Sequence, residues 1–298
     1  MLFSAASRVL IQGITDPLGK VYAPLMQQYG TQIVAGVASG QGDTNFHGIP
    51  VFDLVEQAIA TVGQVDTTVI CGHPYMVLDA ALEAIAAGIR HLVLLTDGVP
   101  PLDMVRLLRK AEATETLVVG PNSPGIIVPG EILLGTHPPD FYAPGPVGLI
   151  SRSGTLTYEV ALQLTQAGFG QSIAVGIGGD RIVGSSFQQW LQILEEDEAT
   201  QVIVLVGEIG GDSEENAARY IAEAIDKPVV AYIAGRTAPL EPVMGHAGAI
   251  IAALVADLST EIGTFESKLA AFKAAQVPVA DRPSQIPDLV KKALQKVS

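Results

Sequence analysis

The chain predicts a parallel α/β protein in two doubly wound halves, and three observations lead there. Short β-branched runs, each closed by glycine or a polar residue, alternate with apolar-periodic segments long enough to cross back over a sheet. Hydrophobic residues make up 48% of the chain but aromatic ones only 5%. The apolar mass is therefore Ala, Val, Ile and Leu, which suits strands buried on both faces under alanine-rich helices. Finally, 298 residues accommodate two domains of roughly 150, each able to bury a core.

The elements follow in order. "RVLIQG", "QIVAGV", "TTVICG", "HLVLLT" and "TLVVG" read as buried parallel strands, with "MLFSAAS" leading into the first. Between them "GKVYAPLMQQYG", "VFDLVEQAIATVG", "MVLDAALEAIAAG" and "PLDMVRLLRKAEA" have helical spacing. This makes the first 120 or so residues a Rossmann-like domain. The run from Pro121 to Gly145 is too rich in proline and glycine for a long helix and predicts a connector with short extended pieces, the domain boundary falling near Phe141. Alternation then resumes with strands in "VGLISRS", "SIAVGIGG", "QVIVLVGEIG" and "KPVVAYIAG". Helices are expected in "TLTYEVALQLTQAG", "SSFQQWLQILEEDE", "SEENAARYIAEAI", "TFESKLAAFKAAQV" and "IPDLVKKALQKV".

The formal net charge of -14 argues against nucleic acid or an anionic membrane as partner, since phosphate neutralisation needs clustered Lys and Arg. An anionic ligand must instead be held locally, by backbone N–H groups at helix N-termini and a few basic side chains. The one cysteine, Cys71, cannot form an internal disulfide, which fits a reducing compartment. The N-terminal stretch lacks the features of a secretory signal, and the longest apolar run, "AGAIIAALVA", is ~10 residues, half of a membrane span. A soluble cytoplasmic protein is expected.

In open α/β sheets ligands sit beyond the carboxyl ends of the strands, and the candidate residues lie there. "GITDPLG", Gly13 to Gly19, follows the first strand; it lacks the middle glycine of a dinucleotide loop, so it reads either as a tight turn or as a phosphate approach to the next helix. "TDGVP" follows the fourth strand and "GPNSPG" the fifth. "SRSGTLTYE" combines the hydroxyls of Ser151, Ser153 and Thr155 with Gly154 at the start of a helix, a cradle for an oxyanion or phosphate beyond what capping requires. "GEIGGDSEE" places Glu208 at the end of a long apolar strand; that carboxylate is either a solvated loop residue or the partner of an imidazole. His47, His73, His91 and His137 are assigned structural roles. His246, between Gly245 and Ala247–Gly248, is different. Its neighbours shield nothing, and an imidazole so presented suits a covalent carrier, for which the nearby cradle makes phosphoryl the natural cargo.

Taken together, "SRSGTLTYE", "GFGQS", "VGIGGD", "GEIGG", "KPVVAYIAG", "MGHAGAII" and "GPNSPG" resemble the α subunit of succinyl-CoA synthetase, the ADP- or GDP-forming succinate–CoA ligase, over nearly the whole chain. The resemblance implies a Rossmann-like CoA-binding domain with its connector over residues 1–140, then a flavodoxin-like ligase domain over residues 141–298. It implies CoA as a substrate meeting Gly13, Thr15, Gly19, Gln41, Thr96, Asp97 and Asn122. His246 would be phosphorylated from ATP or GTP, bound with Mg mainly by a separate β subunit, and would pass the group to succinate; CoA then displaces phosphate from the acyl phosphate. Glu208 would hold the imidazole, Ser153, Gly154 and Thr155 would bind phosphoryl oxygens, and Tyr158 would lie near substrate. No metal site of the chain's own is implied.

The chain departs from that family's pattern in several places. Gln41 in "GQG" stands for a lysine that meets CoA, Asp16 and Pro17 add a charge and a stiff ring to the first loop, and Ser123 replaces a cysteine. "PLEPV" and "AALVADLSTEIG" on either side of the histidine block lack the usual basic or glycine-lysine character. Each lost exposed lysine costs about 1 kcal/mol or less, several-fold in affinity. Three alternatives stay open: a ligase for malate or another small acid, a non-catalytic CoA or nucleotide sensor, and a nicotinamide-dependent oxidoreductase. The last lacks GxGxxG and an acidic residue after the second strand.

Overall fold

Strands made of Val, Ile and Leu on both faces must be covered on both faces, and the chain supplies the cover with crossover helices. The computed structural model describes residues 2–237 and 263–295. They fall into two units, one running to His137 and taking back Ile182–Ser185, the other formed by Pro138–Arg181 and the described residues from Ser186 onward.

The first unit holds β1 (Arg8–Gln12), α1 (Pro17–Tyr29), β2 (Gln32–Val37), β3 (Thr44–Phe46), β4 (Ile49–Phe52), α2 (Val55–Val62), β5 (Thr67–Ile70), α3 (Val77–Ala86), β6 (His91–Leu94), α4 (Pro101–Ala113) and β7 (Leu117–Val119). The sheet order is β3-β4-β2-β1-β5-β6-β7, parallel throughout except for the β3–β4 hairpin. Strand order therefore reverses direction at β1, with β2 on one side and β5 on the other, which opens a crevice at the carboxyl ends of β1 and β5. Leu10, Ile70, Leu92 and Leu94 are fully buried beneath Ala58, Ala81, Ala84 and Leu107 of the helices.

One expected helix is shortened. The stretch from Val51 has helical spacing, yet Ile49–Phe52 pairs with both β2 and β3, and α2 begins only at Val55. Ala38 N–H donates to Phe52 O at 2.9 Å, so hydrogen bonds to a distant strand override local preference. The proline-rich connector forms extended pieces, β8 (Gly125–Val128) and β9 (Ile132–Gly135), paired as a hairpin. Thr31 at the end of α1 fastens it: its hydroxyl donates to Leu133 O at 2.7 Å and accepts from Leu133 N–H at 3.1 Å.

The second unit holds β10 (Pro144–Ser151), α5 (Gly154–Gln166), β11 (Gln171–Gly176), α6 (Phe187–Glu196), β12 (Val202–Glu208), α7 (Ser213–Ala224), β13 (Val229–Ala234), α8 (Phe265–Ala274), β14 (Val279–Ala280) and α9 (Ile286–Leu294). Its strands run β14-β13-β12-β10-β11, all in parallel register. β12 is buried over six residues until Glu208 emerges. A capping box starts α6: Ser186 Oγ accepts from Gln189 N–H at 3.3 Å, and Gln189 Oε1 accepts from Ser186 N–H at 2.9 Å. Behind that cap Phe187, Trp190, Leu191 and Leu194 form a stripe of zero exposure. Among the described residues no helix is long and apolar enough to cross a membrane.

Trp190 is the largest of these buried side chains. Trp190→Ala is expected to cost about 3–5 kcal/mol of unfolding free energy, read from urea denaturation of the purified chain; a loss of only a few tenths would show that the α6 stripe does not hold the unit together.

Candidate active site

Parallel register builds the site in the second unit. β10 lies between β11 and β12, and Ser151 is the register partner of Val206. β10 ends at Ser151 and leads through Arg152 to Ser153, while β12 runs two residues beyond Val206 to Glu208. Glu208 is also in register with Ala234, the last residue of β13.

Ser153 caps α5, its hydroxyl accepting from Leu156 N–H at 3.4 Å. The first N–H groups of a helix have no partner within it, so those of Gly154 and Thr155 head the helix where Thr155 is exposed. The helix dipole adds partial positive charge at the same point. Ser151 does not join them as a ligand group. It is buried, its hydroxyl donating to Ser153 O at 2.9 Å and accepting from Ser153 N–H at 3.1 Å, so it shapes the loop from below. Tyr158 lies one turn further along α5 and is half-buried. The Tyr142 phenol is pushed well above its ordinary range by burial and by Tyr158 nearby.

Glu208 does not stand on a bare loop. Arg152 Nη2 approaches Glu208 Oε1 at 3.8 Å, while its Nη1 lies 3.4 Å from Glu214 Oε1 and donates to Gly210 O at 3.2 Å. Glu214, with no exposure, also accepts from Glu208 N–H at 3.1 Å and from Lys268 Nζ at 2.5 Å. Lys268, likewise fully buried, reaches Glu215 Oε2 at 2.8 Å and Gly211 O at 2.9 Å. Arg152, Glu214 and Glu215 lie inside the stretches singled out in the sequence but carry no motif. Lys268 had one signal, a lysine within the helix "TFESKLAAFKA", yet nothing local says that it is buried.

His246 lies outside the described residues, as do "PLEPV" and most of "AALVADLSTEIG". The described chain ends beyond β13 near the loop that follows β12, since a Cβ on Gly235 would meet Ile209 Cγ2 at 2.6 Å. It resumes at Gly263, whose carbonyl accepts from Gly210 N–H at 2.8 Å and whose N–H donates to Glu215 Oε1 at 3.0 Å. Both flanks of the segment containing His246 thus attach to residues just after Glu208.

In the first unit the expected ligand residues all lie past carboxyl strand ends. Gly13, at φ +76, packs so closely on the loop after β5 that a Cβ would sit 2.8 Å from Gly72 N; one on Gly19 would sit 2.2 Å from Gly13 O. These glycines draw α1 onto the β1 loop at the switch point, the work of the outer glycines of a nucleotide loop. Thr15 is half-buried beside them. Pro17 at the start of α1 offers no N–H, and Asp16 makes no side-chain cap. Thr96 is buried, its hydroxyl donating to Gly72 O at 2.7 Å and its carbonyl accepting from Asn122 N–H at 2.9 Å. Its role is to tie three loops together. Asp97 is exposed. Gln41 is exposed on the other side of β1, in the turn after β2. The Cys71 thiol is pushed up to about 12 by burial and by the Asp16 carboxylate, which makes it a poor nucleophile.

Of the other histidines, His137 is buried and His91 half-buried, while His47 and His73 are exposed. Burial drops His137 to about 4 against an opposing hydrogen bond with the Gly125 backbone, and burial likewise lowers His91 against the pull of Asp66. His73 starts a turn by accepting from Tyr75 N–H at 3.4 Å, and His47 sits at φ +51 edge-on to Phe46.

Comparison with known proteins fits this geometry. The CoA-ligase family matches residues 150–271 and the CoA binding domain family residues 4–98. The α subunit 2 of the ADP-forming succinate–CoA ligase of Archaeoglobus fulgidus is 44% identical over 97% of each chain. The chain belongs to the succinate–CoA ligase α-subunit family. As a member it is an acid–CoA ligase subunit with a CoA-binding domain and a ligase domain, which sets aside the oxidoreductase. The malate–CoA ligase α subunit of Methylorubrum extorquens is 44% identical over 85% of this chain and 86% of its own. The fold also matches the ATP citrate lyase of Methanothrix soehngenii solved with citrate and coenzyme A, with a TM-score of 0.88 at 23% identity. That match covers all of this chain and 51% of the lyase chain.

The ion-pair network makes acid sensitivity predictable. Burial pushes the Glu215 carboxyl up, but hydrogen bonds from Lys268 and Ser267, the Lys268 charge and the Gly263 N–H outweigh it and hold it below its ordinary 4.5. A depressed carboxylate stabilises the fold above its unfolded pKa and loses that contribution as pH falls through the folded value. Glu215→Gln is therefore expected to lower the melting temperature at neutral pH, with the gap to wild type narrowing as pH falls below 4.5; a gap independent of pH would contradict this.

Proposed function

We propose that the chain is the α subunit of a nucleotide-dependent ligase that forms succinyl-CoA from succinate, CoA and ATP or GTP, working with a β subunit that binds most of the nucleotide and its Mg. The observation that carries this reading is the register of β10 with β12, which sets the open end of α5 beside Glu208 while both flanks of the His246 segment attach to the same loop.

In this mechanism a ring nitrogen of His246 attacks the terminal phosphorus of the nucleotide, and the nucleoside diphosphate leaves. Glu208 accepts the N–H of the other ring nitrogen, which fixes the tautomer and stabilises the positive charge that forms. Ser153, Gly154 and Thr155 hold the phosphoryl oxygens at the start of α5, where N–H groups and the helix dipole favour negative charge. A succinate carboxylate oxygen then attacks the phosphorus, releasing neutral His246 and giving an acyl phosphate, with Tyr158 near the acid. The CoA thiol, as thiolate, attacks the acyl carbon and expels phosphate. CoA is held by the first unit at Gly13, Thr15, Gly19, Gln41, Thr96, Asp97 and Asn122, with Thr96 acting through the loops it ties. Malate is a second candidate acid, favoured by the identity to the Methylorubrum subunit.

The chain mixed with its β subunit and radiolabelled ATP should acquire acid-labile label, and His246→Asn should abolish it while leaving the melting curve unchanged; label persisting in the variant removes the mechanism. Succinate and malate, offered separately, should discharge the label at different rates, the faster naming the acid. A folded pair that takes up no label would instead be a CoA-binding module without turnover. Gln41→Lys is expected to tighten CoA several-fold at low salt and less at high salt, since an exposed charge contributes about 1 kcal/mol or less; equal KM values at both salts would take residue 41 out of the CoA site.

A further inference from the structure

Five side chains of alternating charge run inward from the end of β12: Glu208, Arg152, Glu214, Lys268 and Glu215. Exposure falls from 18% at the Glu208 side chain to 8% at Arg152 and zero at Glu214 and Lys268, then returns to 14% at Glu215. Three carboxylates against two cations leave one negative charge over. The inner carboxylates are tightly satisfied, Glu214 by Lys268, Arg152 and the Glu208 N–H, Glu215 by Lys268, Ser267 and the Gly263 N–H. The longest contact in the network is the outermost, 3.8 Å from Arg152 to Glu208 Oε1.

Guanidinium geometry explains how the position is held. One terminal nitrogen of Arg152 is occupied by Gly210 O and Glu214, so the other is directed to Glu208. Glu214 grips both the guanidinium and the Glu208 backbone N–H. Lys268 in turn neutralises Glu214; without that cation the buried Glu214 would compete with Glu208 for the arginine.

We propose that Arg152 is a positioning residue for Glu208, and that Lys268, through Glu214, keeps Arg152 directed to it. This rests on the reading of Glu208 as the partner of the carrier imidazole.

The test is a double-mutant cycle in the assembled α–β enzyme, reading the single-turnover rate of label transfer from radiolabelled ATP to the α chain. Glu208→Gln and Arg152→Met should each slow that step about tenfold or more. The double variant should be no slower than Glu208→Gln alone, within about twofold, and KM for CoA should stay at the wild-type value in all three. Arg152→Lys keeps the charge but cannot span two carboxylates, so it should fall between Arg152→Met and wild type. Should Arg152→Met fail to assemble, Arg152→Lys carries the cycle, its loss vanishing in the Glu208→Gln background. Lys268→Met should follow the same pattern. Losses that multiply with Glu208→Gln, or Arg152 variants at the wild-type rate, overturn the proposal while leaving the role of Glu208 standing. A wild-type rate for Glu208→Gln defeats that role itself, and the proposal with it.

Discussion

The parallel pairing of β10 with β12 is the constraint on which the chemistry of the second unit depends. Register sets Ser151 against Val206, so the two strands leave the sheet side by side, one into the cap of α5 and the other into Glu208. A slip of one residue would turn every side chain of a strand to the opposite face. It would also separate the carboxylate from the helix end. The apolar residues that lock this register are therefore as necessary to the site as the polar groups at its rim.

Beneath the rim, the unit places ionised groups where hydrocarbon would be expected. Lys268 and Glu214 have no exposure, and removing one partner of such a pair costs far more than replacing both by apolar residues. Their presence is better understood as specification of geometry than as a source of stability. Arg152 joins the end of β10 to the start of α7, Lys268 joins α7 to α8, and Gly263 is held by Glu215, which also pairs with Lys268. The chain that follows the histidine segment is thereby fixed to this region.

The first unit uses a different economy, in which backbone does most of the positioning. Gly13 and Gly19 allow strand end, loop and helix start to touch, and Thr96 ties the later loops to the same place through one hydroxyl and one carbonyl. A CoA-binding domain with these ties keeps its ligand loops in order with little positive charge, in agreement with the net charge of -14. The absence of an N–H at Pro17 leaves the α1 end a poorer anion site than the α5 end.

Much of this was legible in the chain itself. Apolar periodicity marked the strands and helices because burial on both faces leaves no polar positions along a strand, and the glycine- and serine-rich loops marked the sites because close approach to a ligand excludes larger side chains. Where pairing partners lie far away in the chain, legibility failed: Val51 and Phe52 headed a stretch of helical spacing and became the end of β4 through pairing with β2 and β3. Ser151 looked like a ligand hydroxyl and proved to be buried in its own loop. The sequence alone determined the fold class, the family blocks and the residue types available for chemistry, since these follow from composition and short-range pattern. Only the tertiary structure decided that Arg152, Glu214 and Lys268 meet behind Glu208, because a buried ion pair is created by the desolvation and proximity of groups as many as 62 positions apart, Arg152 to Glu214, and no local pattern encodes either.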